Sequence, residues 1–210
     1  MVTRDSTRLL LISNALTAVA ALILKWPLDT LLWPYWIQSV LIGWYSRRRI
    51  LALRQFSTDG FTSNDRPVPE TPQALRSTAN FLVLHYGIFH LVYLGFLLSR
   101  VSALSMWDWL AFAGLTASFL STHGASFRQN LEADLNGRPN LGTIFFLPYL
   151  RVVPMHVAVL LGSKFSAASA GAVLFFIALK TAADILMHRV EHHLLQREGS
   201  PEADPPLDAG

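Results

Sequence analysis

Six apolar blocks dominate this sequence, and each runs for about 16 to 22 residues before polar residues interrupt it. A helix rises about 1.5 Å per residue, so a block of this length is what a helix needs to cross a hydrocarbon core of roughly 30 Å. The blocks lie at Leu9–Lys25, Thr30–Ser46, Ala79–Ser99, Trp107–His123, Thr143–Gly162 and Ala168–Arg189. They predict an all-α, polytopic membrane protein folded as a six-helix transmembrane bundle.

The distribution of charge supports this prediction. Charged residues make up 15% of the chain, whereas a soluble globular domain carries about 25%. If the N-terminus lies inside, 12 of the 17 Lys and Arg residues fall in inner segments and three in outer loops. This asymmetry follows the positive-inside rule and predicts that both termini are cytoplasmic. The net charge of +3 is therefore attributed to topology, and no nucleic-acid partner is expected.

The polar segments divide the chain into regions. Residues 1–196 form the predicted six-span domain, and residues 47–78 form a cytoplasmic loop within it that opens with three consecutive arginines. Such a cluster binds anionic headgroups at about 1 kcal/mol per cation, so membrane lipids are expected partners. Residues 197–210 are rich in Pro, Asp and Glu, which predicts a disordered cytoplasmic tail. The oligomeric state stays open.

Several polar residues lie inside the apolar blocks, where each charge costs at least about 2.5 to 3.5 kcal/mol on insertion scales. Such residues normally face the protein interior and indicate a functional site. The chain has no cysteine, so a metal site here would use His, Asp or Glu. The candidate site residues within the blocks are Gln38, His85, His90, Arg151, His156, Lys180, Asp184 and His188.

Among these residues, His85, Asp184 and His188 are the best candidate set of three metal ligands. Asp184 and His188 are four residues apart and share one helix face, and His85 falls at a similar predicted depth to Asp184. Three such ligands suit zinc or another divalent metal with an open position for water. An alternative is that Asp184 neutralises Lys180, one turn away on the same helix.

His90 and His156 form a second grouping at similar predicted depths. Five residues turn a helix by about 500°, so His85 and His90 point in different directions unless a bulge at Gly87 intervenes. His90 and His156 are therefore expected to complete the metal coordination, to form a second site or to handle protons.

Two cations inside the blocks, Arg151 and Lys180, suggest a pocket for an anionic or lipid-like substrate. Gln38, in the second block, is a third candidate for substrate binding. The same two cations could instead serve as counter-ions for Asp184.

Four stretches that carry these residues resemble an uncharacterised family of bacterial integral membrane proteins known as a domain of unknown function. The stretches are Pro34–Ser39 with Gly43, His85–His90, Arg151–His156 with Gly162, and Lys180–His188. The resemblance implies a multi-pass protein of the bacterial inner membrane whose polar residues form one site, and it implies no activity. The family has a glutamate where this chain has Gln38.

Four functions from different classes fit these residues. The first is a membrane hydrolase in which a divalent metal activates water. The second is a proton-coupled transporter or channel that uses the His, Lys and Asp residues as a relay. The third is a redox protein that binds haem through His90 and His156. In the fourth, the polar core only fixes the packing register of the helices.

Overall fold

The computed structural model describes residues 3–100, 104–162 and 170–198. Within these ranges the chain is mainly helical, and the all-α prediction is confirmed. The elements in chain order are α1 (Thr3–Ile23), α2 (Leu28–Ala52), β1 (Thr62–Ser63), β2 (Arg66–Pro67), α3 (Pro72–Ser99), α4 (Met106–Asn136), α5 (Leu141–Gly162) and α6 (Ala170–Glu198). The predicted tail lies outside the described residues from residue 199 onward.

Each predicted apolar block coincides with one helix, but several helices are longer than their blocks. Helix α2 continues to Ala52 and α4 continues to Asn136, beyond the last residues of their blocks. In these extensions Arg49 of α2 is paired with Asp134 of α4. The apolar pattern predicts only the part of a helix that is shielded from water. It does not predict polar turns at the end of a helix, because these are stabilised by residues of another helix.

Helix α2 is central in the bundle because it packs against α3, α4, α5 and α6. Helix α1 packs against α4 and α6, and α5 also packs against α6. Between α1 and α2 the chain turns sharply: Lys25 adopts a positive φ of 52°, and the Trp26 amide donates to the Ala21 carbonyl. This is the left-handed helix ending that satisfies otherwise unpaired carbonyls.

The segment between α2 and α3, residues 53–71, is named the connector. It contains the β1–β2 hairpin, whose two turn residues, Asn64 and Asp65, both have a positive φ, as a tight hairpin turn requires. Ser57 pairs with the α4–α5 turn through a backbone bond from the Leu141 amide at 2.8 Å. The end of the bundle where the connector meets this turn is called the connector end.

A second contact fixes the connector. Arg138 donates to both carboxylate oxygens of Glu70, at 2.8 and 2.7 Å, and this contact raises the pKa of Arg138. Asn140 also donates to the Asp59 carbonyl at 2.9 Å. The connector is thus a folded cap on the α4–α5 turn rather than an open loop.

One helix among the described residues, α3, is long and apolar enough to cross a membrane, with a mean hydropathy of 1.9 over its best window. Shorter apolar runs occur at Asn14–Ile23 and Leu141–Pro154. Only 28% of the apolar window of α3 is buried against the rest of the protein. Its outward face carries Leu84, Leu91 and Val92, each at least 64% exposed.

Candidate functional site

One buried polar cluster joins α1 to α6. Lys180 Nζ lies 2.6 Å from Asp184 Oδ2, and the two side chains are 8% and 4% exposed. Asn14 bridges them, since its amide donates to Asp184 Oδ2 at 3.0 Å and its carbonyl oxygen accepts from Lys180. The Lys180 ammonium also lies 4.8 Å from the centre of the Tyr35 ring. Asp184 is therefore the partner of Lys180, as the alternative from the sequence anticipated.

A small cavity borders this ion pair. It has a volume of about 20 Å³, and its polar lining comes from Tyr35, Gln38, Ser39, Lys180 and Asp184. One water molecule needs about 10 to 15 Å³ and two to four polar partners. The cavity therefore has the size and the chemistry to hold a single water beside the ion pair.

The side chain of Gln38 connects this cavity to a second one nearer the connector end. Its amide donates to His123 Nε2 at 2.9 Å, and His123 lines the second cavity, whose volume is about 70 Å³. The remaining polar lining comes from Tyr45, Ser46, Arg49, Ser126 and Asn130. The apolar wall is formed by Ile42, Phe127, Ile144, Leu147 and Pro148. This second cavity is called the inner cavity.

A buried ion pair lies at the edge of the inner cavity. Arg49 donates through Nη2 to Asp134 Oδ1 at 2.9 Å and through Nε to Oδ2, so the contact is bidentate. The two side chains are 9% and 0% exposed. Arg49 lines the inner cavity, whereas Asp134 does not.

A third polar network links α2 to α3. The Tyr86 hydroxyl donates to the Ser39 carbonyl at 3.0 Å and lies 2.8 Å from Ser39 Oγ. Ser39 Oγ lies 2.9 Å from His90 Nε2, and His90 Nδ1 lies 2.7 Å from the Tyr86 carbonyl. Because Nδ1 faces a carbonyl, it carries the proton, and Nε2 accepts from Ser39. Ser39 thus connects the small cavity to His90.

The network continues toward the far end of α3. The His90 and Tyr93 rings meet edge to face at 5.9 Å, and the Tyr93 hydroxyl is hydrogen-bonded to His156 Nδ1 on α5. His90 and His156 therefore contact the same tyrosine from two sides. The contact between His90 and Tyr93 is one of rings and not a hydrogen bond. A proton could therefore pass between them only through a water molecule or after a movement of one ring.

The polar network between α2 and α3 depends on a glycine. A Cβ added at Gly43 would lie 2.6 and 2.9 Å from two ring atoms of Tyr86. The Tyr86 side chain is buried and bonded to Ser39, so it has little freedom to withdraw. Gly43 is therefore required for the close approach that brings the Tyr86 hydroxyl to Ser39.

The predicted metal ligands occupy different surroundings. His85 is exposed, and its Nδ1 is hydrogen-bonded to Tyr149 at 3.0 Å. Helix α3 is regular through Gly87, so His85 and His90 face different neighbours. Among the side chains that the structure describes, no three His, Asp or Glu residues lie close enough to hold one metal ion. The side chains of His188 and Arg151 lie outside that set.

The core and the surface differ in the space that they offer. Both cavities in the core are far smaller than the roughly 300 to 1,000 Å³ of a typical small-molecule site. A groove of about 560 Å³ lies outside the core, along α5 and the connector, with Asp59 and Asn140 at one end and Leu150 and Val153 at the other. The core therefore has room for water or a small ion, but not for a lipid or a peptide.

Several partners in these networks were not among the sequence candidates. Tyrosines bind His85 and His156, Ser39 and the backbone of Tyr86 bind His90, and Asn14 bridges the Lys180 pair. Neutral residues at these positions give little signal, because Tyr, Ser and Asn are ordinary constituents of helices that pack together. Arg49 was attributed to the polar loop that follows the second block, and Asp134 lies well beyond the end of the fourth block.

The chain belongs to a family of unknown function, DUF6498, whose model matches residues 2–200. No curated protein and no solved structure matches this chain. The family covers all six helices, and it assigns no activity to any of the residues described above.

Proposed function

We propose that this protein is a multi-pass membrane protein that couples proton movement to the transport of a small solute. In this proposal all six helices span the inner membrane, and Lys180 with Asp184 is the proton-binding group. The observation that carries the proposal is a line of polar groups and two small cavities along the middle of the bundle.

The line can be followed along α2. It begins at Arg49 and the inner cavity, passes the Gln38–His123 hydrogen bond, and reaches the small cavity at Tyr35 and Lys180. From Tyr35 to Arg49 the helix rises by about 21 Å, which is two thirds of a hydrocarbon core of roughly 30 Å. Ser39 and His90 then lead the line toward Tyr93 and His156.

The groups along this line have the chemistry that proton transfer requires. Imidazole is the side chain that changes charge most readily between pH 5 and 8, and both His90 Nε2 and His123 Nε2 act as acceptors. Protonation of Asp184 would remove the charge that balances Lys180, so a proton arriving there changes the charge of the core. Lysine can also release its proton, unlike arginine.

The pattern of burial supports the placement of several helices in a membrane. Polar side chains such as Asn14, Gln38 and Lys180 are 3 to 6% exposed, whereas many leucines, valines and phenylalanines are more than half exposed. A soluble protein has the opposite arrangement, and intramembrane polar groups normally face the bundle interior.

The hydrolase and haem hypotheses receive less support from the same residues. A hydrolase needs room for its substrate beside the reacting group, and the core cavities hold about 20 and 70 Å³. A divalent metal such as zinc, with His85, Asp184 and His188 as ligands, and haem on His90 and His156 stay predictions. Metal analysis and an absorption spectrum of the purified protein would test them.

The proton uptake that this proposal requires can be measured in liposomes. The purified protein is reconstituted with an internal pH-sensitive dye at pH 8 and diluted into buffer at pH 6.5. Valinomycin and equal concentrations of potassium chloride and potassium nitrate on both sides clamp the membrane potential. Wild-type protein should acidify the interior faster than protein-free liposomes, and Asp184→Asn should reduce this rate at least about tenfold, because it removes the proton-binding carboxylate.

Two further variants make the result specific. Gln38→Leu should also slow acidification, since it removes the link between the cavities without touching the ion pair. His85→Ala is the matched control: it removes an exposed histidine of a block and should leave the rate unchanged. Acidification no faster than in protein-free liposomes, or equally fast in Asp184→Asn and wild type, would contradict the proposal.

A further inference from the structure

The inner cavity differs from the small cavity in size and in the charge of its lining. Its volume of about 70 Å³ is several times what one water requires. It is also well below the volume of a site for a drug-sized molecule. The space fits a molecule of a few heavy atoms.

The polar lining of the inner cavity consists mainly of groups that can donate hydrogen bonds to an anion. Arg49 contributes one permanent cation. The other polar groups are the hydroxyls of Tyr45, Ser46 and Ser126, the amide of Asn130 and the imidazole of His123. Among the described lining residues there is no carboxylate: Asp134 balances the charge of Arg49 from its Nε and Nη2 side and does not form part of the wall. The guanidinium would disfavour a cation in this space, whereas an anion could accept hydrogen bonds from the lining groups.

The position of Arg49 is fixed before any ligand arrives. The bidentate contact with Asp134 holds the plane of the guanidinium, and the side chain is 9% exposed. Asp134 is thus a positioning residue for the cavity. A preorganised guanidinium loses little freedom when it binds an anion, and its weak hydration suits a partly apolar site.

We propose that the inner cavity binds a small monovalent anion of the size of chloride, nitrate or formate, held by Arg49, Ser126 and Asn130. The inference that this anion is the transported solute rests on the proposed function. The inference that the cavity binds the anion does not depend on transport. The Gln38–His123 hydrogen bond joins the cavity to the Lys180–Asp184 pair, so anion binding and protonation share one network. An anion that enters together with a proton moves no net charge.

The apolar wall sharpens the expected selectivity. Ile42, Phe127 and Leu147 form part of the cavity surface and would displace water from the bound ion. Strongly hydrated anions such as sulfate lose more on desolvation than weakly hydrated ones such as nitrate. Gluconate exceeds the available volume and serves as the negative probe.

The experiment measures thermal unfolding of the purified protein in detergent, because a ligand that binds only the folded state raises its midpoint. Sodium nitrate, chloride and formate are compared with sodium gluconate at constant ionic strength. Nitrate should raise the midpoint saturably by about 3 °C, and gluconate should not. Asn130→Asp should abolish the shift, because it introduces a carboxylate into the cavity.

Matched variants exclude a general effect of charge or stability. Gln129→Glu adds the same charge on the exposed side of α4 and should retain the nitrate shift. Ser126→Val fills part of the space without adding charge and should also abolish the shift. A shift that never saturates, that is equal in gluconate, or that persists in both Asn130→Asp and Ser126→Val would overturn the anion site.

The two proposals fail in different ways. If nitrate stabilises the protein but liposomes show no proton uptake, the anion site stands and the transport function falls. If proton uptake depends on Asp184 but no anion shifts the midpoint, the transport function stands and the anion site is wrong.

Discussion

The core contains two buried ion pairs that are built in different ways. Arg49 and Asp134 lie 85 residues apart and join α2 to α4 through a bidentate contact. Lys180 and Asp184 lie one turn apart on α6, and Asn14 of α1 bridges them. The first pair connects two helices through a direct contact between charges, whereas the second is local to α6 and contacts other helices through neutral groups such as the Asn14 amide and the Tyr35 ring.

This difference separates a fixed charge from one that can change. Arginine stays protonated at any accessible pH, so the Arg49 pair can only form or break. Lysine and aspartate can exchange protons, and their pair borders a cavity large enough for one water. The Arg49 pair therefore suits a structural and positioning role, and the Lys180 pair suits a role in proton transfer.

The largest effect is expected when the pair between α2 and α4 is broken. Asp134→Asn leaves a buried guanidinium without its counter-charge, which costs about 3 to 5 kcal/mol. The thermal midpoint in detergent should fall by about 10 °C, given roughly 2 to 4 °C per kcal/mol for a chain of this size. The double variant Arg49→Met with Asp134→Leu should recover most of the loss. A midpoint within about 2 °C of wild type for Asp134→Asn would remove the structural role of this pair.

A smaller loss is expected for the local pair. Asp184→Asn keeps the shape of the side chain, and Lys180 can release its proton instead of remaining buried with an unbalanced charge. The expected cost is about 1 to 3 kcal/mol, measured by the same thermal unfolding. The same variant should lose proton uptake while its stability changes less than that of Asp134→Asn. If Asp184→Asn proves the less stable of the two, the proposed division of roles is wrong.

The smallest effect is expected for a partly exposed pair. Asp29 and Arg100 are 3.7 Å apart, and their side chains are 21% and 35% exposed. Asp29→Asn should cost less than about 1 kcal/mol, because solvent already screens both charges. The unfolding midpoint should also become less sensitive to salt. A loss as large as that of Asp184→Asn would mean that burial is not what distinguishes the ion pairs.

The helices were largely predictable, whereas the site was predictable only in part. Long apolar blocks predict helices because every backbone group in lipid must be bonded within its own segment. The spacing of Lys180 and Asp184 allowed their contact as the alternative to metal binding by Asp184, since residues four apart share a helix face. The partners of the histidines could not be predicted. Tyr149 binds His85, Ser39 binds His90 and Tyr93 binds His156, each from another helix, and a single sequence does not show which residues of different helices lie close together.

Sequence alone determined the helical class, the approximate positions of the six helices and the presence of polar groups inside apolar segments. These properties follow from local periodicity and from the solvation of each side chain. Only the tertiary structure decided which polar groups meet: Asn14 with Lys180, Gln38 with His123, and Arg49 with Asp134. It also decided the size of the spaces between them, because cavity volume depends on how side chains from separate helices interlock.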